Sequence, residues 1–172
     1  MEVTLNTTDA LTGIRRLGER FADDLPVRAG TVRAAADVRR ALDAGAQFLV
    51  APGLDLEAVA RERDTLMPPN VFSATEAVAA CAAGCRLLKL FPADALGPGY
   101  LKALRAPLDD VAFIPTGGVD PETLGAFHRA GAAAFGVGSY LVENVRVTPD
   151  ELAGLTARAR LLRRALADAQ AS

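Results

Sequence analysis

The sequence predicts an α/β fold of the (β/α)8-barrel type, one domain over residues 1–172 with about seven βα units. Three observations carry this. Strand-like and helix-like segments alternate without a break, which implies parallel strands joined by crossover helices. No linker, low-complexity run or shift of composition divides the 172 residues, a length that supports one sizeable core. Polar side chains and glycines collect at the C-terminal ends of the predicted strands, where a parallel barrel carries its chemistry. An open doubly wound sheet is the other architecture that alternation allows.

The predicted strands are 2–5, 27–31, 48–51, 65–68, 87–91, 112–115 and 134–138, and the predicted helices about 8–22, 34–44, 55–63, 74–83, 97–105, 121–130 and 149–169. The chain opens inside a strand, Glu2-Val3-Thr4-Leu5, with no lead-in. Ser73-Ala74-Thr75-Glu76 has capping-box spacing and starts the fourth helix. The fifth strand is the apolar run Leu87 to Phe91, stopped by Pro92. Asp120-Pro121-Glu122 is an N-cap followed by proline, and Thr148-Pro149-Asp150-Glu151 repeats the capping box with Pro149 at the first helical position. The count is one unit short of eight, and such barrels usually need about 200 residues or more. The expectation is therefore an N-terminally truncated barrel whose first strand–helix unit is missing, leaving two unpaired strand edges.

Composition excludes several functions. A net charge of -2 with interspersed acids and bases leaves no electrostatic footprint for nucleic acid. The apolar runs fall short of the roughly 20 residues that a membrane helix needs, and no segment has the order of a signal peptide. A cytoplasmic protein is expected. Cys81 and Cys85 supply two of the four ligands that a zinc site wants, and His128 is far away in sequence. They read as small apolar side chains at a helix–strand junction, and His128 as a helix-surface residue.

Lys89 stands inside the apolar fifth strand. Two readings compete. Its stem could pack in the core while the ammonium reaches the rim. Alternatively it is an imine-forming amine. An ordinary lysine has a pKa of about 10.4, and apolar walls lower it by disfavouring the charged form. The freed amine attacks a ketone, and the protonated imine becomes an electron sink for a carbanion at the adjacent carbon. Alternation turns Leu88 and Leu90 to the opposite face. Glu2 is either a solvated N-terminal residue or an inward carboxylate that moves protons near the imine, directly or through water. Gly117-Gly118 follows the sixth predicted strand and Gly138-Ser139 the seventh. The last two βα loops of barrels often bind phosphate through backbone N–H groups, which glycine lets approach closely.

These pieces match a known family. Glu2-Val3-Thr4-Leu5, Ala29-Gly30-Thr31-Val32, the segment from Ala44 to Gly53, Ser73-Ala74-Thr75-Glu76-Ala77, Leu88-Lys89-Leu90-Phe91-Pro92, Pro115-Thr116-Gly117-Gly118-Val119 and Gly136-Val137-Gly138-Ser139 occur in order along nearly the whole chain. The chain resembles the 2-dehydro-3-deoxy-phosphogluconate and 2-dehydro-3-deoxy-6-phosphogalactonate aldolases, class I enzymes of the (β/α)8 fold. The resemblance implies that Lys89 is the Schiff-base lysine and Glu2 the acid/base, acting through water. It implies that Asn6, Thr31, Pro52, Phe91 and Thr116 bind substrate, Thr31 and Pro52 at the pyruvate end. Gly117, Gly118, Gly138 and Ser139 would hold the phosphate. The implied reaction splits a 2-keto-3-deoxy-6-phospho-sugar acid into pyruvate and glyceraldehyde 3-phosphate, with no metal or organic cofactor, in a homotrimer.

Asn6 and the segment from Gly97 to Leu104 look like the galactonate branch, whereas Pro115-Thr116 looks like the gluconate branch. Two departures stand out. Pro68-Pro69-Asn70-Val71 replaces the family's Pro-Gly turn, with Asn70 as a left-handed substitute for glycine. The family's first strand bears an arginine for the substrate carboxylate, and that strand has no counterpart in this sequence. Two other functions fit the same residues. One is a truncated, non-catalytic barrel that binds a phosphorylated metabolite or assembles with a full-length relative. The other is a phosphate-binding isomerase or synthase. Neither requires an imine at Lys89.

Overall fold

The computed structural model describes residues 1–21, 24–56, 65–142 and 148–171. The chain divides into two units, Met1–Leu88 and Lys89–Ser172. Its sheets are parallel and its helices lie between successive strands, an α/β arrangement.

The first unit starts with β1 (Glu2–Thr4), α1 (Ala10–Phe21), β2 (Arg28–Gly30), α2 (Ala35–Asp43) and β3 (Phe48–Leu49). The strands form a sheet in the order β1-β2-β3, with Glu2 opposite Arg28, Thr4 opposite Gly30 and Ala29 opposite Leu49. The apolar positions of α1 recur at helical spacing, Ala10, Ile14 and Leu17, and those of α2 at Val38 and Ala41. Ile14, Val38 and Ala41 join Val27, Ala29, Leu49 and Met67 in one buried cluster, with Leu17 packed against it. Ile14, Val38 and Leu49 are fully buried, each side chain stabilising the unit by about 1.5–3 kcal/mol.

The unit continues with β4 (Asn70–Val71), α3 (Ala74–Ala82) and the start of β5 (Leu87–Leu90), which lies beside β4 in a second sheet. The strand expected over 65–68 is instead found at 70–71. Leu66 still lends its carbonyl to the Leu49 N–H at 2.9 Å. Pro68 and Pro69 have no N–H to give, so ladder pairing resumes only at Asn70. Asn70 is part of a strand, not a left-handed turn as expected; among the described residues the non-glycine residues with positive φ are Asp9 and Thr31. The helix expected over 55–63 lies outside the described residues from 57 onward.

The second unit holds the end of β5, α4 (Gly97–Arg105), β6 (Ala112–Pro115), α5 (Pro121–Arg129) and α6 (Pro149–Gln170). β5 pairs with β6, and Leu90, Leu101, Leu104, Phe113, Leu124 and Phe127 are buried. The strand expected over 134–138 is reduced to one parallel bridge, Thr116 with Gly136. Ala133 and Gly136 donate to the Phe113 and Pro115 carbonyls, so the segment follows β6 but does not sustain a ladder. Gly136 and Gly138 add no side chains that could pack on a neighbour. Among the described residues no helix is long and apolar enough to cross a membrane.

The caps read from sequence are formed. The Glu76 carboxylate accepts from the N–H groups of Phe72 (2.7 Å) and Ser73 (2.8 Å), while the Ser73 hydroxyl accepts from Glu76 N–H. Asp120 accepts from the N–H groups of Thr123 (2.8 Å) and Glu122 (2.9 Å) and from the Thr123 hydroxyl. These bonds hold both carboxyls below their ordinary values of 4.5 and 3.8; for Glu76 the Phe72 N–H is the largest cause, for Asp120 the Thr123 N–H. A depressed folded value means that the stabilisation is present above the ordinary range and lost as pH falls through the folded value. Asp120→Ala is therefore expected to cost about 1 kcal/mol at pH 7. Urea titrations of both proteins at stepwise lower pH check this: the gap should close below about pH 4, and a pH-independent gap would remove the cap explanation.

Candidate active site

Each unit carries part of the expected set. In the first, Glu2 on β1 stands in register with Arg28 on β2, and its Oε2 lies 2.7 Å from Arg28 Nε. The contact is a charge pair, not an aligned hydrogen bond, and both side chains are about three-quarters buried. The Arg28 guanidinium also lies over the Phe48 ring, 5.4 Å from its centroid. The place that a Cβ on Gly30 would take is occupied by the Glu2 carboxylate. Glycine at 30 thus makes room for the acid, and Arg28 sets its position. Neither partner was singled out from sequence. The available signal was a lone arginine on a predicted core strand, comparable to Lys89.

Asn6 and Thr31 line one cleft in this unit, of about 490 Å3. Thr31 sits at φ 59°, a left-handed conformation that a β-branched residue rarely adopts and that costs roughly 1–2 kcal/mol. Such strain persists only when neighbours over-determine it; here buried Val32 donates to the Val50 carbonyl immediately afterwards. Pro52 accepts from the Asn70 side-chain amide at 3.1 Å, and Gly53 from the Asn70 N–H. Asn70 thereby ties the turn after β3 to β4.

In the second unit Lys89 is half-buried on β5, between Leu88 and Leu90, which are fully buried on the other face. The alternation read from sequence holds. Lys89 Nζ lies 4.7 Å from the centroid of the Phe91 ring, an arrangement in which the ring's negative face attracts an ammonium. Hydrogen bonds continue past the strand ends: Thr116 N–H to Leu90 O at 2.9 Å and Ala93 N–H to Thr116 O at 2.8 Å. They bring Phe91 against the Gly117-Gly118 turn. A Cβ on Gly117 would meet the Phe91 ring at 3.2 Å, and one on Gly118 would run into the Asp94 side chain. Both glycines have positive φ, 90° and 65°.

Lys89, Phe91, Thr116 and Gly117 are therefore one local group, with Gly118 and Asp94 beside it. The Thr116 hydroxyl donates to the Ile114 carbonyl at 3.3 Å, and the Gly118 carbonyl accepts from Thr123 Oγ1 at 3.1 Å. Gly138 and Ser139 are exposed, two and three residues beyond the bridge to Thr116, and open space lies where a Cβ on Gly138 would go. Asp94 was missed from sequence because a carboxylate after Pro92 has no periodicity to mark it. Cys81 and Cys85 are free and half-buried. Burial, then Cys81, pushes the Cys85 thiol up, which is the behaviour of a packed and not a reactive cysteine. His128 is half-buried on α5.

The second unit thus places an amine on a core strand beside an aromatic ring and a glycine turn. A family model described as the KDPG and KHG aldolase family matches residues 1–157. The chain is 37% identical over 144 residues to the 2-dehydro-3-deoxy-6-phosphogalactonate aldolase of Escherichia coli K12, covering 82% of this chain and 70% of that protein. It is 42% identical over 127 residues to the 2-dehydro-3-deoxy-phosphogluconate aldolase of Pseudomonas aeruginosa, covering 72% of this chain and 57% of that protein, under two thirds of its length. A solved structure of native KDPGal superposes with a TM-score of 0.92 at 32% identity, over 99% of this chain and 82% of the other. A KDPG aldolase from Legionella pneumophila, with pyruvate captured as a covalent carbinolamine, superposes with a TM-score of 0.75 at 28% identity, over 96% and 79%.

Proposed function

Because the chain belongs to the KDPG and KHG aldolase family, we propose that it cleaves a 2-keto-3-deoxy-6-phospho-sugar acid to pyruvate and glyceraldehyde 3-phosphate through an imine on Lys89. The observation that carries this is the position of Lys89, half-buried on β5, stacked on Phe91 and next to the turn that begins at Thr116. The neutral amine adds to the C2 ketone, and the carbinolamine loses water to give a protonated imine. The C3–C4 bond then breaks. Its electron pair passes into the imine to form an enamine, and the C4 hydroxyl loses its proton as the aldehyde leaves. Protonation of the enamine at C3 and hydrolysis release pyruvate and return the amine.

Glu2 is the proton carrier in this scheme, through a water, and Arg28 and Gly30 fix where its carboxylate stands. Such proton transfer contributes about 10²–10⁴ in rate. Thr31 and Pro52 are assigned to the pyruvate end, with Asn6 and Thr116 on the remaining polar atoms. The N–H groups of Gly117, Gly118, Gly138 and Ser139 are assigned to the phosphate. The alternation of βα units supports a single (β/α)-barrel domain, and the balanced composition supports a cytoplasmic enzyme. A homotrimer is the assembly that the resemblance implies.

The test is incubation with pyruvate and borohydride, followed by peptide mapping. A reduced adduct on Lys89, absent from Lys89→Ala, is the expected result. No adduct in a folded protein would sink the imine mechanism and return the binding-protein reading.

A further inference from the structure

In the second unit, the turn that follows the Thr116–Gly136 bridge is held from outside by α6. The Gly138 carbonyl accepts from the N–H groups of Leu141 (2.9 Å) and Val142 (3.0 Å). The Leu141 carbonyl accepts in turn from Arg158, half-buried on α6 and 17 positions along the chain. Its Nε–H at 3.1 Å and Nη2–H at 2.7 Å converge on that one oxygen. Glycine at 154 leaves the guanidinium room, since a Cβ there would stand 3.3 Å from Nη1. The peptide bonds of this turn are trans, and a trans peptide points its N–H opposite to its C=O. The Leu141–Val142 peptide therefore takes the Arg158 bonds on its oxygen and donates to Gly138 through its nitrogen. The Gly138–Ser139 peptide takes that bond on its oxygen and points the Ser139 N–H out of the turn. Among the described residues nothing accepts from the Ser139 N–H.

We propose that Arg158 is a positioning residue for the phosphate: through the Leu141–Val142 and Gly138–Ser139 peptides it fixes and polarises the Ser139 N–H that meets the anion. The proposal rests on the aldolase reading, which assigns Gly138 and Ser139 to the phosphate. Arg158 itself touches no substrate. Hydrogen bonds from a guanidinium are charge-assisted and about twice as strong as neutral ones. Bonds in series polarise one another, so the charge on Arg158 strengthens the last donor of the chain. A turn already held in this way loses little freedom when the anion arrives.

The test compares Arg158→Met, which keeps an apolar stem and removes the donors, with Arg158→Lys, which keeps the charge. Arg163→Met, on the exposed face of α6, is the charge-matched control. Condensation of pyruvate with glyceraldehyde 3-phosphate is measured beside condensation with glyceraldehyde, which lacks the phosphate. Arg158→Met should raise the KM for glyceraldehyde 3-phosphate at least about tenfold, the scale of one charge-assisted hydrogen bond. It should leave kcat and the KM for glyceraldehyde unchanged, whereas a general loss of structure moves both aldehydes alike. Arg158→Lys should recover part of the loss, and Arg163→Met should match the parent.

An unchanged KM for glyceraldehyde 3-phosphate, or an equal rise for glyceraldehyde, would overturn the proposal. A second measurement needs no change at position 158. The Ser139 N–H, Val142 N–H and Arg158 Nε–H resonances of the parent and of Lys89→Ala are followed during titration with inorganic phosphate. All three should shift with one dissociation constant, in both proteins. No shift at Ser139, or a Ser139 shift without the other two, would overturn the proposal. Borohydride trapping of pyruvate in the same parent preparation reports separately on the imine, so failure of the aldolase reading shows as a missing adduct on Lys89.

Discussion

Replacing Lys89 by alanine is expected to lower the rate of carbon–carbon cleavage by on the order of 10⁴–10⁶, the scale seen when a covalent nucleophile is removed. No neighbouring side chain can stand in for it. Lys102 lies on α4, outside the group formed by Phe91, Thr116 and Gly117. Stability should change little. Lys89 is only half-buried, and the residues that anchor β5 in the core are Leu88 and Leu90. The loss includes the cation–π contact with Phe91, about 0.5–1 kcal/mol. Single-turnover kinetics and a urea titration of the same preparation check both halves. Cleavage within tenfold of the parent would show that the electrophile is activated by another group. A collapse of stability would show that Lys89 acts mainly through packing.

Gly30→Ala is expected to act on catalysis through Glu2. The new methyl would take the volume now held by the Glu2 carboxylate. The end of a glutamate side chain yields more readily than β2, whose backbone is paired on both sides by β1 and β3. The acid therefore moves, the Glu2–Arg28 pair breaks, and turnover falls by about 10²–10⁴, the usual worth of a positioned acid/base. The fall should appear in kcat more than in KM, because proton transfer belongs to the chemical step. Glu2→Gln should produce a loss of similar size. The double variant should be no slower than either single one, since both remove the same function. Additive losses would mean that residue 30 acts on something other than the acid.

The elements were legible from the sequence wherever the signal was local. Helix starts at Ser73, Asp120 and Thr148 depend on groups three residues apart, and all three caps are formed. The two strands that moved or shrank did so for reasons that pattern does not weigh. Consecutive prolines at 68 and 69 withheld ladder donors, and glycines at 136 and 138 offered nothing to pack. Asn70, read as a glycine substitute, instead bonds the Pro52 carbonyl, a partner 18 residues away.

The sequence by itself determined the family, the alternating α/β order and the one amine on a core strand, because these are properties of residue types in series. Alternation also settled that Leu88 and Leu90 face away from Lys89. What the tertiary structure decided is which side chains share a volume. Parallel register sets Glu2 beside Arg28, 26 positions along the chain, and puts the Glu2 carboxylate where Gly30 has no side chain. The bonds between Leu90, Thr116 and Ala93 bring the Phe91 ring onto Gly117. The turns after β1 and β2 enclose Asn6 and Thr31 in one cleft. Periodicity repeats along the chain and shows in the residue order, whereas these neighbours meet only when crossover connections fix strand register.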